Sequence, residues 1–135
     1  LALSCGSPTP LVVASAGNGG PAAAPAYPAA LRHVVAVTAV DQANRIYRYA
    51  NQGAYIVVAA PGVREPGAAA SGGYKLYSGT SFAAPHISAW LARCLGGRKS
   101  QTLAAATQCR KQLTAAARDT GAPGVDPVYG SGVVR

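Results

Sequence analysis

A serine at the predicted start of a helix is the residue of this sequence best suited to covalent chemistry. Ser81 lies within "YSGTSFAAPH", after Gly79 and before an apolar run. The amino end of a helix offers free N–H groups and a positive dipole end, and both stabilise a developing oxyanion. Gly79 would let a substrate backbone approach closely. Ser81 is therefore a candidate nucleophile, although an ordinary N-cap serine would occupy the same position.

The order of residues around Ser81 argues against one family of hydrolases. "GTSFA" differs by one residue from the Gly-x-Ser-x-Gly elbow of α/β-hydrolases, in which the acid and then the histidine follow the serine. The only histidine after Ser81 is His86, five residues later on the same predicted helix. From that position it is poorly placed to reach the Ser81 hydroxyl, so this interpretation fails.

A second polar candidate follows an apolar strand. Asn18 lies in "VVASAGNGG", between Gly17 and Gly19. A neutral amide at a strand end can donate an N–H to an oxyanion without ever ionising. The same residues could also form only a tight turn. A phosphate loop is disfavoured, because the glycines do not have Gly-x-Gly-x-x-Gly spacing.

Three short apolar runs would position these residues. They are predicted as buried parallel strands, since each is rich in β-branched residues and nearly continuous in apolar character. The runs are Leu11–Ser15, Val34–Val40 and Tyr55–Ala60. Loops leave from the carboxyl ends of the strands, where ligands bind in open α/β sheets. The predicted class is α/β, with helices on both faces of the sheet.

Two helices are predicted after the strands, with a loop and a short hairpin before the first. The first helix begins near Ser81 and ends at Gly96-Gly97, with Pro85 tolerated in its opening turn. The second has Ser100 as its N-cap and continues to about Ala117. Its predicted core-facing stripe is Leu103, Ala106, Cys109, Leu113 and Ala116.

Composition excludes several other classes of protein. Half of the 135 residues are hydrophobic and 12% are charged, which is typical of a globular chain and not of a disordered one. The net charge is +8, but the basic residues are scattered along the chain, so we predict no nucleic-acid binding. No apolar run reaches the roughly 20 residues of a membrane span. Because the chain has no methionine, its first residue is not a translation start, and we expect a processed product or a piece of a longer protein, of which we favour the piece.

The three cysteines do not form a closed disulfide framework. Cys5, Cys94 and Cys109 are an odd set, and their spacing has no metal-ligand character. One disulfide and one free thiol would account for them, and the sequence leaves open whether Cys94 pairs with Cys109. The helical stripe places Cys109 toward the core, so we expect it to pack there and not to act in redox chemistry.

Several ordered segments together resemble the C-terminal portion of the catalytic domain of subtilisin-like serine proteases (subtilases, peptidase S8). "SGTSFAAPH" is similar to the nucleophile segment of that family, and "VVASAGNGG" to its oxyanion-hole strand and loop. "YPAALRHVVAVTAVD", "VVAAPG" and "DPVYGSGVV" match further segments in the same order, from about Leu11 to Val134. The resemblance implies a three-layer α/β/α fold with a mainly parallel sheet, of which only the C-terminal half is present.

The resemblance also implies roles for individual residues. Ser81 would be the nucleophile and Asn18 an oxyanion donor, with the Ser81 backbone N–H as the second donor. The implied reaction is endopeptidase cleavage of a protein or peptide substrate through an acyl-enzyme, and it needs no cofactor. Small residues beside these two would bind substrate: Ser15, Ala16, Gly17, Gly79 and Thr80.

The aspartate and histidine of the subtilase triad do not occur in this sequence. Subtilases carry them in Asp-Ser/Thr-Gly and His-Gly-Thr segments before the serine, and neither segment is found here. We expect structural roles for His33 and His86, and Asp41, Asp119 and Asp126 match no triad position. A serine without a base is a weak nucleophile, so we predict no appreciable proteolysis by this chain alone. No metal site is predicted: where the family often has a calcium-binding acidic residue, two positions before "APG", this chain has hydrophobic residues.

Two hypotheses of different classes follow. Either the parent protein is a secreted or periplasmic endopeptidase, or the chain is a non-catalytic subtilase-like remnant that acts as an interaction module. Half a sheet would expose a strand edge and apolar surface. We therefore expect a partner, either the missing amino-terminal half or a second copy of the chain, and no membrane.

Overall fold

A parallel sheet and a separate hairpin precede two helices. The structure is a computed structural model that describes residues 11–96 and 102–135. Strands β1 (Val12–Ser15), β2 (Val34–Val40) and β3 (Ile56–Pro61) form a parallel sheet in that order. Strands β4 (Val63–Ala68) and β5 (Tyr74–Ser78) form an antiparallel hairpin, and helices α1 (Thr80–Gly96) and α2 (Leu103–Ala116) follow. The α/β class and the hairpin are confirmed.

Strand β2 is buried on both faces of the sheet. Its residues Val35, Val37 and Ala39 join the core that includes side chains of α1 and α2. On the opposite face Val40 packs with Ala59, Val133 and the partly buried Ile46 and Tyr129. A nearly continuous β-branched run suits a strand that is covered on two faces. Within the described residues only one face is covered by helices, and connecting segments cover the other.

Strand β1 is less buried than predicted. It pairs with β2 along one edge, and no strand of the described part of the chain pairs with its other edge. Val12 is 43% exposed, and the remaining β1 residues are half-buried. An apolar sequence indicates that a strand will be covered, but it does not indicate whether the covering element belongs to the same stretch of chain.

The helix ends differ from the prediction at two positions. Helix α1 begins at Thr80, so Pro85 lies in its second turn, where it has no N–H to donate to the Ser81 carbonyl. Thr102 is the N-cap of α2, and its hydroxyl accepts a hydrogen bond from the Ala105 N–H at 3.2 Å. Ser100, the predicted cap, and Gly97 lie outside the described residues.

The predicted apolar stripe of α2 is correct in its centre and wrong at its ends. Ala106, Cys109 and Leu113 are buried, but Leu103 is 64% exposed and Ala116 is also exposed. In the first turn Ala105, which the stripe left out, is buried in place of Leu103. No helix among the described residues has the length and apolar character to cross a membrane.

A disulfide links the two helices at the end of α1. Cys94 of α1 is bonded to Cys109 of α2, which is fully buried as the stripe predicted. The crosslink answers the question of pairing that the sequence left open. Cys5 lies outside the described residues.

Candidate active site

The carboxyl ends of β1 and β3 and the amino end of α1 meet at one edge of the sheet. β1 leads to Asn18, and β3 leads to Gly62. The Gly62 carbonyl accepts a hydrogen bond of 2.8 Å from the Gly79 N–H, immediately before α1. A Cβ on Gly62 would lie 2.9 Å from the Gly79 carbonyl oxygen, so only glycine permits this approach. The start of α1 is thereby fixed against the sheet edge that carries Asn18.

Asn18 is attached to the first residue of α1. Its Oδ1 accepts hydrogen bonds from the Thr80 N–H at 3.0 Å and from the Thr80 hydroxyl at 3.1 Å. The Thr80 Oγ1 in turn accepts a bond from the Gly17 N–H at 3.2 Å. The oxygen end of the Asn18 carboxamide is therefore occupied. Its Nδ2 has no acceptor within residues 11–96 and 102–135 and remains a free donor.

Ser81 follows Thr80 in the first turn of α1 and is exposed. Its N–H is among the helix-terminal groups that have no intrahelical acceptor, and the helix dipole makes the potential there positive. Its hydroxyl has no hydrogen-bond partner in the part of the chain that the structure describes. The structure thus brings together an exposed hydroxyl and two neutral N–H donors, which is an arrangement suited to an oxyanion intermediate.

The residues predicted to bind substrate lie within three positions of Asn18 or Ser81 in the sequence, but two of them have little exposed side chain to offer. Ala16 is fully buried, and its carbonyl accepts a 2.7 Å hydrogen bond from the Tyr55 hydroxyl. Thr80 is also fully buried, and its polar atoms are bonded to Asn18 and Gly17. Thr80 therefore acts on Asn18, by hydrogen bonds to its side-chain oxygen. Substrate contact remains a prediction for all five: Ser15, Ala16, Gly17, Gly79 and Thr80.

Asn51 is a buried residue that was not a candidate from the sequence, and its hydrogen bonds hold the loop that contains Asn18. The Asn51 Oδ1 accepts a hydrogen bond from the Gly19 N–H at 2.7 Å, and its Nδ2 donates to the Ala24 carbonyl at 3.1 Å. Its backbone N–H donates to the Gly17 carbonyl at 3.0 Å. Gly17 has a φ of 109°, and a Cβ there would lie 2.7 Å from the Asn51 Nδ2. Asn51 lies in "ANQG", which contains no motif by which it could have been found.

An aromatic pair also lies next to the nucleophile segment. The rings of Tyr77, on β5, and Phe82, on α1, stack with centroids 5.0 Å apart. The Lys75 Nζ lies 4.7 Å from the centroid of the Tyr77 ring. The strand-to-helix junction brings the two rings together, and their spacing in the sequence follows neither the helical nor the strand period.

Neither histidine is placed as a base for Ser81. The His86 Nε2 lies 3.4 Å from the Glu65 Oε2 and so connects α1 to β4. The His33 backbone carbonyl accepts a hydrogen bond of 3.1 Å from the Arg110 Nη1. The structure shows no hydrogen bond between either histidine and Ser81 among the described residues.

The aspartates stabilise loops. Asp41 accepts hydrogen bonds from the Ala43 and Arg45 N–H groups and from the Arg45 Nε. The bond from the Arg45 backbone is the largest cause that lowers the pKa of Asp41. Asp119 and Asp126 accept bonds from N–H groups of residues 124–129. Among the described residues, no three His, Cys, Asp or Glu side chains are grouped as metal ligands would be.

Sequence and structure comparisons identify the class of protein. Residues 6–132 match the sequence profile of the Subtilase family, and the chain belongs to this family. It is 33% identical over 148 residues to Subtilisin BL of Lederbergia lenta, covering 98% of this chain and 52% of that protein. It is 31% identical over 125 residues to the minor extracellular protease Epr of Bacillus subtilis (strain 168), covering 93% of this chain and 19% of that protein.

A solved structure supports the same assignment. The fold is similar to the crystal structure of a lanthipeptide protease, with a TM-score of 0.76 and 31% sequence identity, over 93% of this chain and 48% of that one. The family resemblance and the subtilisin-like α/β fold predicted from the sequence are therefore confirmed. The chain spans about half the length of Subtilisin BL and of the lanthipeptide protease.

Proposed function

We propose that this chain is the C-terminal part of the catalytic domain of a serine endopeptidase, with Ser81 as the nucleophile. The observation that carries the proposal is the orientation of Asn18. Two hydrogen bonds from Thr80 hold its oxygen, which leaves its N–H end free beside the helix turn that contains Ser81. A residue that served only in a tight turn would not need its carboxamide fixed in this way.

The proposed reaction is the cleavage of a peptide bond in two steps. The Ser81 Oγ attacks the carbonyl carbon of a peptide bond, and its proton passes to a base. The carbonyl oxygen becomes an oxyanion that accepts hydrogen bonds from the Ser81 N–H and the Asn18 Nδ2. Collapse of this intermediate expels the amine, which takes the proton, and water then hydrolyses the ester on Ser81. Neutral donors that are already oriented stabilise the new charge without having to reorganise.

We propose that the base and its carboxylate lie in an amino-terminal segment of the same protein. His86 is paired with Glu65 and His33 is not bonded to Ser81, so neither histidine of this chain fills the role. The free edge of β1 and a neighbouring groove of about 290 Å³ offer a surface for that segment to cover. The groove is mainly apolar and is lined by Leu11, Val13, Ser88, Leu91, Ala92 and Leu95.

We also propose that the protein is secreted or periplasmic. The disulfide between Cys94 and Cys109 supports this location, because disulfides persist in oxidising compartments and are rare in the cytosol. The relative Epr is named as an extracellular protease. Protein or peptide chains outside the cytoplasm would then be the substrates.

The test uses the longer protein that contains this chain. A fluorophosphonate probe should label the wild type, and Ser81→Ala should abolish labelling and lower kcat on a casein or peptide substrate by about 10⁶, the size of the loss in subtilisin. Thr120→Ala is the control, since that exposed hydroxyl donates to the Arg118 carbonyl and does not line the groove. Wild-type protein that is folded but neither labelled nor active would favour the non-catalytic interaction module.

A further inference from the structure

We propose that Asn51 is a positioning residue for the oxyanion donor Asn18. The inference rests on the proposed function and extends it to a residue outside the nucleophile and oxyanion motifs. Asn51 lies 33 residues after Asn18 in the sequence, in the segment before β3, and it is only 4% exposed. A buried carboxamide is retained at low cost only where its polar atoms are bonded, and both ends of this one are.

The hydrogen bonds of Asn51 hold the backbone on both sides of Asn18. Its backbone N–H binds the Gly17 carbonyl, which belongs to the peptide group before Asn18. Its Oδ1 accepts from the Gly19 N–H, which belongs to the peptide group after Asn18. Its Nδ2 donates to the Ala24 carbonyl, so the returning part of the loop is attached to the same side chain. Thr80 fixes the carboxamide of Asn18, and Asn51 fixes the backbone that carries it.

The composition of the loop explains why such support is required. Gly17, Gly19 and Gly20 give this segment more conformational freedom than any other residue type would. Without the Asn51 carboxamide, the Gly19 N–H and the Ala24 carbonyl would lose their protein partners, and the loop could move relative to α1. A displacement of about 1 Å can cost about 10²-fold in rate. Because the Thr80 bonds remain, we expect a smaller loss, of about tenfold.

The loss should appear in kcat and not in KM. Asn18 donates to an oxygen that becomes negatively charged only after Ser81 attacks, so a displaced donor weakens the transition state more than the bound substrate. A role for Asn51 in folding alone would lower the melting temperature and leave the kcat of the folded fraction unchanged. The division between kcat and KM therefore separates positioning from simple stabilisation.

The experiment compares three variants of the longer protein. Asn51→Ala should lower kcat about tenfold with KM within twofold, and it should weaken inhibition by a peptide boronic acid, which forms a tetrahedral adduct on Ser81, by a similar factor. Asn51→Ser keeps a small neutral polar side chain but is too short to bind both the Gly19 N–H and the Ala24 carbonyl, so its kcat should fall by no more than that of Asn51→Ala, with KM unchanged. Thr102→Ala removes the N-cap of α2 and should lower the melting temperature with kcat unchanged.

The outcomes distinguish this inference from the proposed function. Wild-type kcat and boronic acid affinity in folded Asn51→Ala would overturn the inference alone, and so would a raised KM with unchanged kcat. If Asn51→Ala does not fold, Asn51→Ser decides in the same way, with a reduced kcat at unchanged KM as the supporting result. Failure of a fluorophosphonate to label folded wild type would overturn the proposed function, and this inference with it.

Discussion

The two sides of Ser81 are built very differently. On the side that we propose as the oxyanion hole (the oxyanion side), hydrogen bonds form a continuous set between residues up to 63 positions apart in the sequence: Gly17, Asn18, Thr80 and Asn51. On the side where a base would act, the Ser81 hydroxyl has no partner among the described residues. The same contrast extends into the sheet, where β2 is covered on both faces and β1 has a free edge.

The difference shows which part of a serine protease site one stretch of chain can complete by itself. An oxyanion hole needs only neutral dipoles in fixed orientations, and a strand end, a loop and a helix start supply them. A general base needs a titratable group that is held within hydrogen-bond reach of the serine and is tuned near the working pH. In this chain the hydrogen bonds between Asn18 and Thr80 serve the first task, and neither histidine is bonded to Ser81, which is why we assign the second task to an amino-terminal segment.

The largest loss of reactivity should come from removing the amino-terminal segment that we propose to carry the base. We expect the isolated 135-residue chain to react with a fluorophosphonate at Ser81 at least about 10⁴-fold more slowly than the longer protein, because no group takes the proton of the hydroxyl. The rate can be measured by intact mass, with circular dichroism to verify folding and Ser81→Ala as the background. Labelling within tenfold of the longer protein would show that this chain contains its own base.

A smaller effect should follow from damage to the oxyanion side. In the longer protein, Asn18→Ala should lower kcat by about 10²–10³ with little change in KM, which is the size established for this donor in subtilisin. Asn18→Asp keeps an oxygen for Thr80 but replaces the donor with a negative charge, so its kcat should be at least as low.

Asn44→Ala is the matched control for both substitutions. The Asn44 side chain bonds to Arg135 on a surface loop, away from α1, and kcat should be unchanged. A kcat for Asn18→Asp close to that of the wild type would contradict the donor role, because a carboxylate cannot donate. In that case Asn18 would serve only to accept the hydrogen bonds from Thr80.

The same contrast explains what the sequence could predict. Ser81 and Asn18 could be proposed as site residues because each lies in a local motif, and β2 could be predicted because its apolar run needs no knowledge of its neighbours. Asn51 could not be predicted from the sequence, because its bonds to Gly19 and Ala24 join residues about 30 positions apart with no characteristic spacing. The exposure of Val12 and Leu103 was also missed, because an apolar pattern reports the tendency to be buried and not the presence of a partner surface.

The smallest effect on catalysis should come from the disulfide, which lies at the other end of α1 from Ser81. The double variant Cys94→Ala/Cys109→Ala opens a link across 15 residues, and loop-closure entropy predicts a loss of about 3 kcal/mol in the free energy of unfolding. Urea unfolding measures this loss, with reduced wild type as the control. Because the hydrogen bonds of Asn18, Thr80 and Asn51 do not involve this end of the helix, kcat well below the melting temperature should be unchanged. If kcat fell together with the free energy of unfolding, the carboxyl end of α1 would also position Ser81. The oxyanion side would then depend on the whole helix.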